Sequence, residues 1–137
     1  MRYIPIKHMN NSMSVKIEKL KVHADKRGKL IEIFKFSQCG QVYLITAPSG
    51  AIRGNHFHKR KIEKFCVIEG SAKLNLRNLK TGNKKKYILS GSRFKVITVP
   101  PGWVHNIVNA GKREMKVLTW TNEVFNPKDS DTFPENV

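Results

Sequence analysis

From Val15 onward the chain is broken into short apolar stretches, most of them alternating with polar residues, and turn-forming residues recur every eight to twelve positions. Alternation puts successive side chains on opposite faces of a pleated strand, and no segment sustains the 3.6-residue period of an amphipathic helix. That punctuation predicts an all-β sandwich or barrel. Strands are expected at about 15–22, 30–36, 41–46, 53–58, 63–69, 72–79, 85–89, 94–99, 105–109 and 112–120. The breaks between them carry turn chemistry: Asp25-Lys-Arg-Gly28, Pro48-Ser-Gly50, Thr81-Gly-Asn83, Ser90-Gly-Ser92, Pro100-Pro-Gly102 and Asn109-Ala-Gly111.

A chain of 137 residues is the size of one domain. Residues 1–14 read as a polar extension, disordered or exchanged as a strand with a partner, 15–121 as the barrel, and 122–137 as a tail packing over it as a short turn or helix. No apolar run approaches the roughly 18 residues of a membrane span. The first ten residues lack the apolar core of a secretory signal, so the expected compartment is the cytoplasm. Cys39 and Cys66 sit in apolar contexts and read as reduced, buried thiols. The formal net charge of +16 favours anionic partners. The lysines are spread along the chain without an aromatic stacking platform, which argues against nucleic acid. A phosphorylated small molecule needs only a few of these charges, and the rest read as solvation.

The chemistry is concentrated in residues 50–70. On a strand, His56 and His58 project to the same face, about 7 Å apart at Cα, while Phe57 points away. Glu63 opens the next apolar run, and if that run pairs beside the first its carboxylate reaches the two rings. The rigid Pro100-Pro-Gly102 turn then delivers His105. A lone His-x-His is usually structural. Three imidazoles and a carboxylate together make a nitrogen and oxygen donor set suited to zinc, iron, manganese, nickel or copper rather than calcium or magnesium.

Residues 50–70 match Gly-x5-His-x-His-x4-Glu-x6-Gly, and residues 100–109 match Pro-x-Gly-x2-His-x3-Asn. These resemble the two motifs of the cupin superfamily, whose fold is a jelly-roll barrel, the double-stranded β-helix. One departure is visible: the glycine that opens the second motif is replaced by Phe94, the nearest glycine being Gly91. The flanks narrow the resemblance. Arg53-Gly-Asn-His-Phe-His58, Glu63-Lys-Phe65, Pro101-Gly-Trp-Val-His-Asn106, Trp120-Thr-Asn-Glu-Val-Phe-Asn-Pro127 and Asp131-Thr-Phe133 are similar to the C-terminal cupin domain of bifunctional capsular-polysaccharide enzymes. Those epimerise a UDP-linked 4-keto hexose in the cupin and reduce it in a separate domain. The Asp25-Lys-Arg-Gly-Lys-Leu-Ile-Glu32 start is similar to dTDP-4-keto-6-deoxyhexose 3,4-ketoisomerases and, more distantly, to 3,5-epimerases.

The resemblance implies an isomerase that abstracts the proton next to the ketone of a nucleotide-diphosphate sugar. It implies His56, His58, Glu63 and His105 as ligands of a divalent transition metal, zinc before iron, manganese or nickel, or else a metal-free pocket in which His56 or His58 is the base. If all the imidazoles are ligated, a water or Tyr43 takes the proton. Arg53 is a candidate for the developing charge, provided that Gly54 introduces a bulge that turns it to the face of His56. Lys59, Arg60 or Lys61 would meet the diphosphate, and Trp103 is either a sugar-stacking or a core aromatic. Glu123 and Asp131 read as anchors of the tail. A homodimer is expected from the family. Two other classes are compatible with the motifs: a cupin that binds sugar or metal without turnover, and a metal-dependent oxygenase.

Overall fold

A computed structural model of the chain describes residues 14–34 and 40–137. The expected extension therefore lies outside the described residues apart from Ser14, and so does Cys39. Twelve strands and no helix are present among the described residues: β1 (Lys16–Lys19), β2 (Val22–Asp25), β3 (Gly28–Ile31), β4 (Gln41–Ala47), β5 (Ile52–Phe57), β6 (Glu63–Glu69), β7 (Ser71–Asn78), β8 (Lys84–Ser90), β9 (Lys95–Val99), β10 (Trp103–Asn109), β11 (Met115–Thr121) and β12 (Phe133–Pro134). No helix is long and apolar enough to cross a membrane.

Two five-stranded sheets face each other, one in the order β1-β9-β6-β11-β4 and the other β12-β5-β10-β7-β8. From β8 to β11 the chain crosses between the sheets at every connection, as it does from β4 to β7. That is the antiparallel jelly roll expected of the sequence. The inward faces follow the pleat: Leu74 and Leu76 of β7, Phe65 and Val67 of β6, Ile97 of β9 and Val117 of β11 form one buried core.

On three strands the inward residues change character, while Leu76 of β7 and Val99 of β9 stay apolar beside them. On β11 they pass from Met115 and Val117 to Thr119 and Thr121, on β6 from Val67 and Phe65 to Glu63, and on β10 from Ile107 to His105. Register brings these polar positions together, Thr121 opposite Glu63 and His105 opposite His56. One end of the barrel is thus a filled apolar core and the other is polar.

Three expectations are corrected. The stretch 15–22 is not one strand: β1 is an edge of the first sheet, while β2 pairs only with β3 across a two-residue turn at Lys26 and Arg27. β1 to β3 are exposed at nearly every position, so no core contact enforces one continuous extended segment, and β3 ends at Ile31 rather than running to 36. Glu63 does not reach the histidines from a neighbouring strand: β6 lies in the opposite sheet from β5, and its carboxylate comes from across the barrel. The tail, read as a turn or a helix, has turns, and it ends as β12 on the edge of β5, where Phe133 stacks on Phe57 at 5.3 Å.

Gly91 takes part in the turn before the second motif. Its N–H donates to the Gly70 carbonyl at 2.9 Å, and a Cβ there would come within 2.6 Å of the Glu69 backbone. Glycine at 91 is thus required by the close approach of two backbones, and Phe94 needs no such freedom. Gly91→Ala should lower stability by about 1–3 kcal/mol, read as a fall in the denaturant midpoint with an unchanged slope.

Candidate functional site

Gly54 has φ of 97° and Asn55 of 59°, and the pairing of β5 with β10 slips between His105 and Asn106. This is the bulge on which the inward direction of Arg53 depends. With one extra residue between them, Arg53 opposite Ile107 and His56 opposite His105 both face the barrel interior. On the outer face a ladder of amides holds the bulge: Asn106 Nδ2 donates to Asn55 Oδ1 at 2.9 Å and Asn75 Nδ2 to Asn106 Oδ1 at 2.8 Å.

After Phe57 the chain leaves the second sheet and crosses to the first through residues 58–62. Asp131, buried and left-handed with φ of 51°, holds this crossing. Its carboxylate accepts the N–H groups of Lys59 at 3.1 Å, Arg60 at 2.9 Å and Lys61 at 2.9 Å. Burial by itself would raise the Asp131 carboxyl, but the three amides and the Arg60 guanidinium outweigh it and hold the group below the ordinary carboxylate range. The backbone carbonyl of the same residue accepts from His58 Nδ1 at 2.6 Å.

His56, His58, Glu63 and His105 each offer a donor atom within 4.8 Å of the others. His58 Nε2 lies 3.1 Å and His105 Nε2 2.7 Å from Glu63 Oε2. A carbonyl can only accept, so His58 carries its proton on Nδ1, toward Asp131, and His105 carries its own on Nδ1, toward Trp103 O at 2.9 Å. Both Nε2 lone pairs are then aimed at the carboxylate. These contacts have ion-pair distances without hydrogen-bond alignment, and all three atoms are buried without an aligned partner. Lone pairs converging in this way, each imidazole fixed from behind by a carbonyl, fit a divalent transition metal.

In the metal-free cluster a proton on Nε2 of either ring stands where a cation would. Burial opposes ionisation of Glu63, yet His105 and His58 hold its carboxyl far below the usual range, so it is a carboxylate. His56 is pushed down to about 4, first by burial and then by the other imidazoles and Lys61, and is neutral at neutral pH. Burial also opposes charge on His58, but Glu63 and Asp131 raise it above its ordinary value.

The cluster forms the floor of a cavity of about 320 Å³ whose wall includes Tyr43, Arg53, Lys61, Phe125 and Thr132. Burial, then the Glu63 charge, pushes the Tyr43 phenol up, so it is a neutral hydroxyl. Of the side chains expected to bind substrate, Arg53 lines this cavity. Lys59, Arg60 and Trp103 do not: Lys59 Nζ lies 4.4 Å over the Phe133 ring, Arg60 pairs with Glu123 at 3.2 Å and Asp129 at 3.1 Å, and Trp103 belongs to the core. Phe125 and Thr132 were not singled out from the sequence as wall residues. The signal for them was the specificity of the tail motifs that contain them. Cys66 points away from Glu63, and burial pushes its thiol up to about 11, which leaves no thiolate.

Residues 23–133 match the polysaccharide biosynthesis C-terminal domain family. The chain belongs to this family. A relative from Pseudomonas aeruginosa, a UDP-2-acetamido-2,6-beta-L-arabino-hexul-4-ose reductase, is 39% identical over 112 residues, which are 82% of this chain and 30% of the relative. The capsular polysaccharide assembling protein CapF of Staphylococcus aureus superposes with a TM-score of 0.70 at 34% identity, covering 88% of this chain and 33% of that one. The chain thus spans about a third of the length of these family relatives. QdtA, a sugar 3,4-ketoisomerase from Thermoanaerobacterium thermosaccharolyticum, shares the fold at 23% identity and a TM-score of 0.72, over 87% of this chain and 86% of that one.

Removing the Asp131 carboxylate in Asp131→Ala leaves three amides unpaired and frees the residue that orients His58. The expected loss is on the order of 3 kcal/mol, measured by denaturant unfolding at neutral pH. Because folding lowers its pKa, this carboxylate stabilises fully above the ordinary range near about 3.9 and less as pH falls through the lower native value. The gap between wild type and Asp131→Ala should therefore close on acidification.

Proposed function

We propose that this chain is the isomerase domain of surface-polysaccharide synthesis that acts on a UDP- or dTDP-linked 4-keto-(6-deoxy)hexose, by proton transfer at the carbon next to the ketone. The observation that carries the proposal is the open-ended cavity, which gathers three imidazoles and a carboxylate beside a neutral phenol and two cationic side chains. Membership of a polysaccharide-biosynthesis family supports it, as does a relative named for a UDP-linked hexul-4-ose.

A 4-keto group acidifies the neighbouring C–H. A base takes that proton, the C–H electron pair becomes a C=C bond, and the carbonyl π pair moves onto oxygen. Returning the proton to the other face gives the epimer; returning it to the former carbonyl carbon, while the neighbouring hydroxyl gives up its proton and the enolate oxygen takes one, moves the ketone. Neither outcome needs an oxidant or reductant. His56 is the imidazole without a backbone carbonyl behind it among the described residues, so its unprotonated ring nitrogen is free to accept the proton. Tyr43 on β4 and His56 on β5 belong to facing sheets, an arrangement that suits removal of a proton on one side and return on the other. Arg53 at the exposed edge takes the diphosphate.

His58, Glu63 and His105 would hold a divalent transition metal, zinc first, with His56 as the further donor if the proton is taken by water or Tyr43 instead. Such an ion would supply Lewis-acid polarisation of a substrate oxygen. The protein acts as a cytoplasmic homodimer on this reading: among the described residues β4 is a sheet edge on which Val42 and Leu44 are exposed, and that supports association through it.

Incubation with a UDP- or dTDP-linked 4-keto-6-deoxyhexose in D2O should place deuterium at the carbon beside the ketone, detected by mass spectrometry. Elemental analysis of untagged protein should find about one zinc per chain, lost in His105→Ala together with exchange. His56→Ala should keep the zinc and lose exchange. Tight binding of the sugar with no deuterium uptake would instead identify a binding module, and iron with oxygen consumption an oxygenase.

A further inference from the structure

Three consecutive cations, Lys59, Arg60 and Lys61, lie on the crossing between β5 and β6, and the fold sends each to a different place. Lys59 covers the Phe133 ring and Arg60 is neutralised by Glu123 and Asp129. Lys61 turns inward. It is 4% exposed, it lines the cavity that holds His56, Glu63 and Tyr43, and its Nζ lies 5.6 Å from the centroid of the Phe125 ring. Among the described residues no carboxylate comes within ion-pair distance of that nitrogen. The Asp131 carboxylate, by accepting the amides of all three residues, keeps the backbone of the crossing from swinging Lys61 outward.

An ammonium at the wall of a cavity, its stem buried and no carboxylate beside it among the described residues, is placed for an anion that enters that cavity. Arg53 is exposed, whereas Lys61 is enclosed beside the histidine cluster. The two cations are therefore placed for different parts of a substrate. We propose that Lys61 is a catalytic residue whose ammonium meets the negative charge that develops on the ketone oxygen, while Arg53 takes the diphosphate. This assignment rests on the isomerase reading above. No bond to Lys61 forms: the base takes the C–H proton, the freed pair makes the C=C bond, and the carbonyl π pair rests on oxygen against the ammonium until the proton returns. A compact charge already in position needs no reorganisation as the oxyanion forms.

Wild type, Lys61→Met and Lys61→Arg are compared for deuterium exchange into the 4-keto sugar, with zinc content and melting temperature checked to be equal. Lys61→Met should lower kcat by roughly 10²–10³-fold with KM changed by less than about threefold, and Lys61→Arg should recover part of the loss. An unchanged kcat, or a loss confined to KM, would overturn the assignment. A second measurement is independent of turnover: binding of 4-nitrophenol, followed by the absorbance of its anion. Wild type should prefer the phenolate over the phenol by at least about tenfold more than Lys61→Met does. If wild type exchanges no deuterium yet selects the phenolate through Lys61, the isomerase reading falls and the oxyanion site stands. Equal selection by both proteins overturns the Lys61 assignment whatever the exchange shows.

Discussion

The structure turns on one buried carboxylate. Glu63 is the inward residue at the polar end of β6, and an ionised group so enclosed is tolerated only if its charge is met on all sides. His58 and His105 present their Nε2 atoms to it at 3.1 and 2.7 Å, a donor set whose negative charge is met by a cation or by a proton on either ring. Each imidazole can do so only because a main-chain carbonyl fixes its other nitrogen, that of Asp131 for His58 and that of Trp103 for His105. Asp131 is in turn held by the amides of the crossing that carries Lys61. A single electrostatic requirement thus ties two sheets, the crossing between them and the C-terminal tail into one unit.

The barrel supplies this cluster with a defined environment. Its apolar half is filled by Leu74, Leu76, Phe65, Val67 and Met115 in close contact, and so is rigid. At the other half the inward positions are His, Glu and Thr, which leave space and polar atoms where a core would otherwise continue. Catalytic groups projecting from strands of a packed sheet are held more firmly than groups on free loops. The bulge at Gly54 and Asn55 adds the one local departure from the pleat that the site needs, since it brings Arg53 and His56 to the same face.

The charge of the chain is distributed by the same logic. Most of its 26 lysines and arginines solvate the surface or, as with Lys84 and Lys86 on β8, guard a strand that is a sheet edge among the described residues. Arg60 is absorbed by acidic residues of the tail. Lys61 stands apart because it is enclosed without a carboxylate partner among the described residues, and its place beside the cluster separates it from cations with a solvation role.

The all-β class, the order of the motifs and the four residues of the cluster were legible in the sequence, because strand alternation and donor spacing are local properties that a linear reading captures. The chain also disclosed that Arg53 would join the site only through a bulge at Gly54. It did not disclose that Glu63 arrives from the opposite sheet, that the stretch 15–22 divides into two strands, or that of three adjacent cations only Lys61 enters the cavity. Nor did it show that Trp103 lies in the core. Those outcomes depend on which distant segments meet: the amides of residues 59–61 are set by Asp131, some seventy positions away, and the sheet that β6 joins is set by pairing with β9 and β11. Residue type and spacing determined what chemistry the chain could hold, whereas long-range pairing decided which side chains face it, because direction on a strand is relative to neighbours that the linear order does not name.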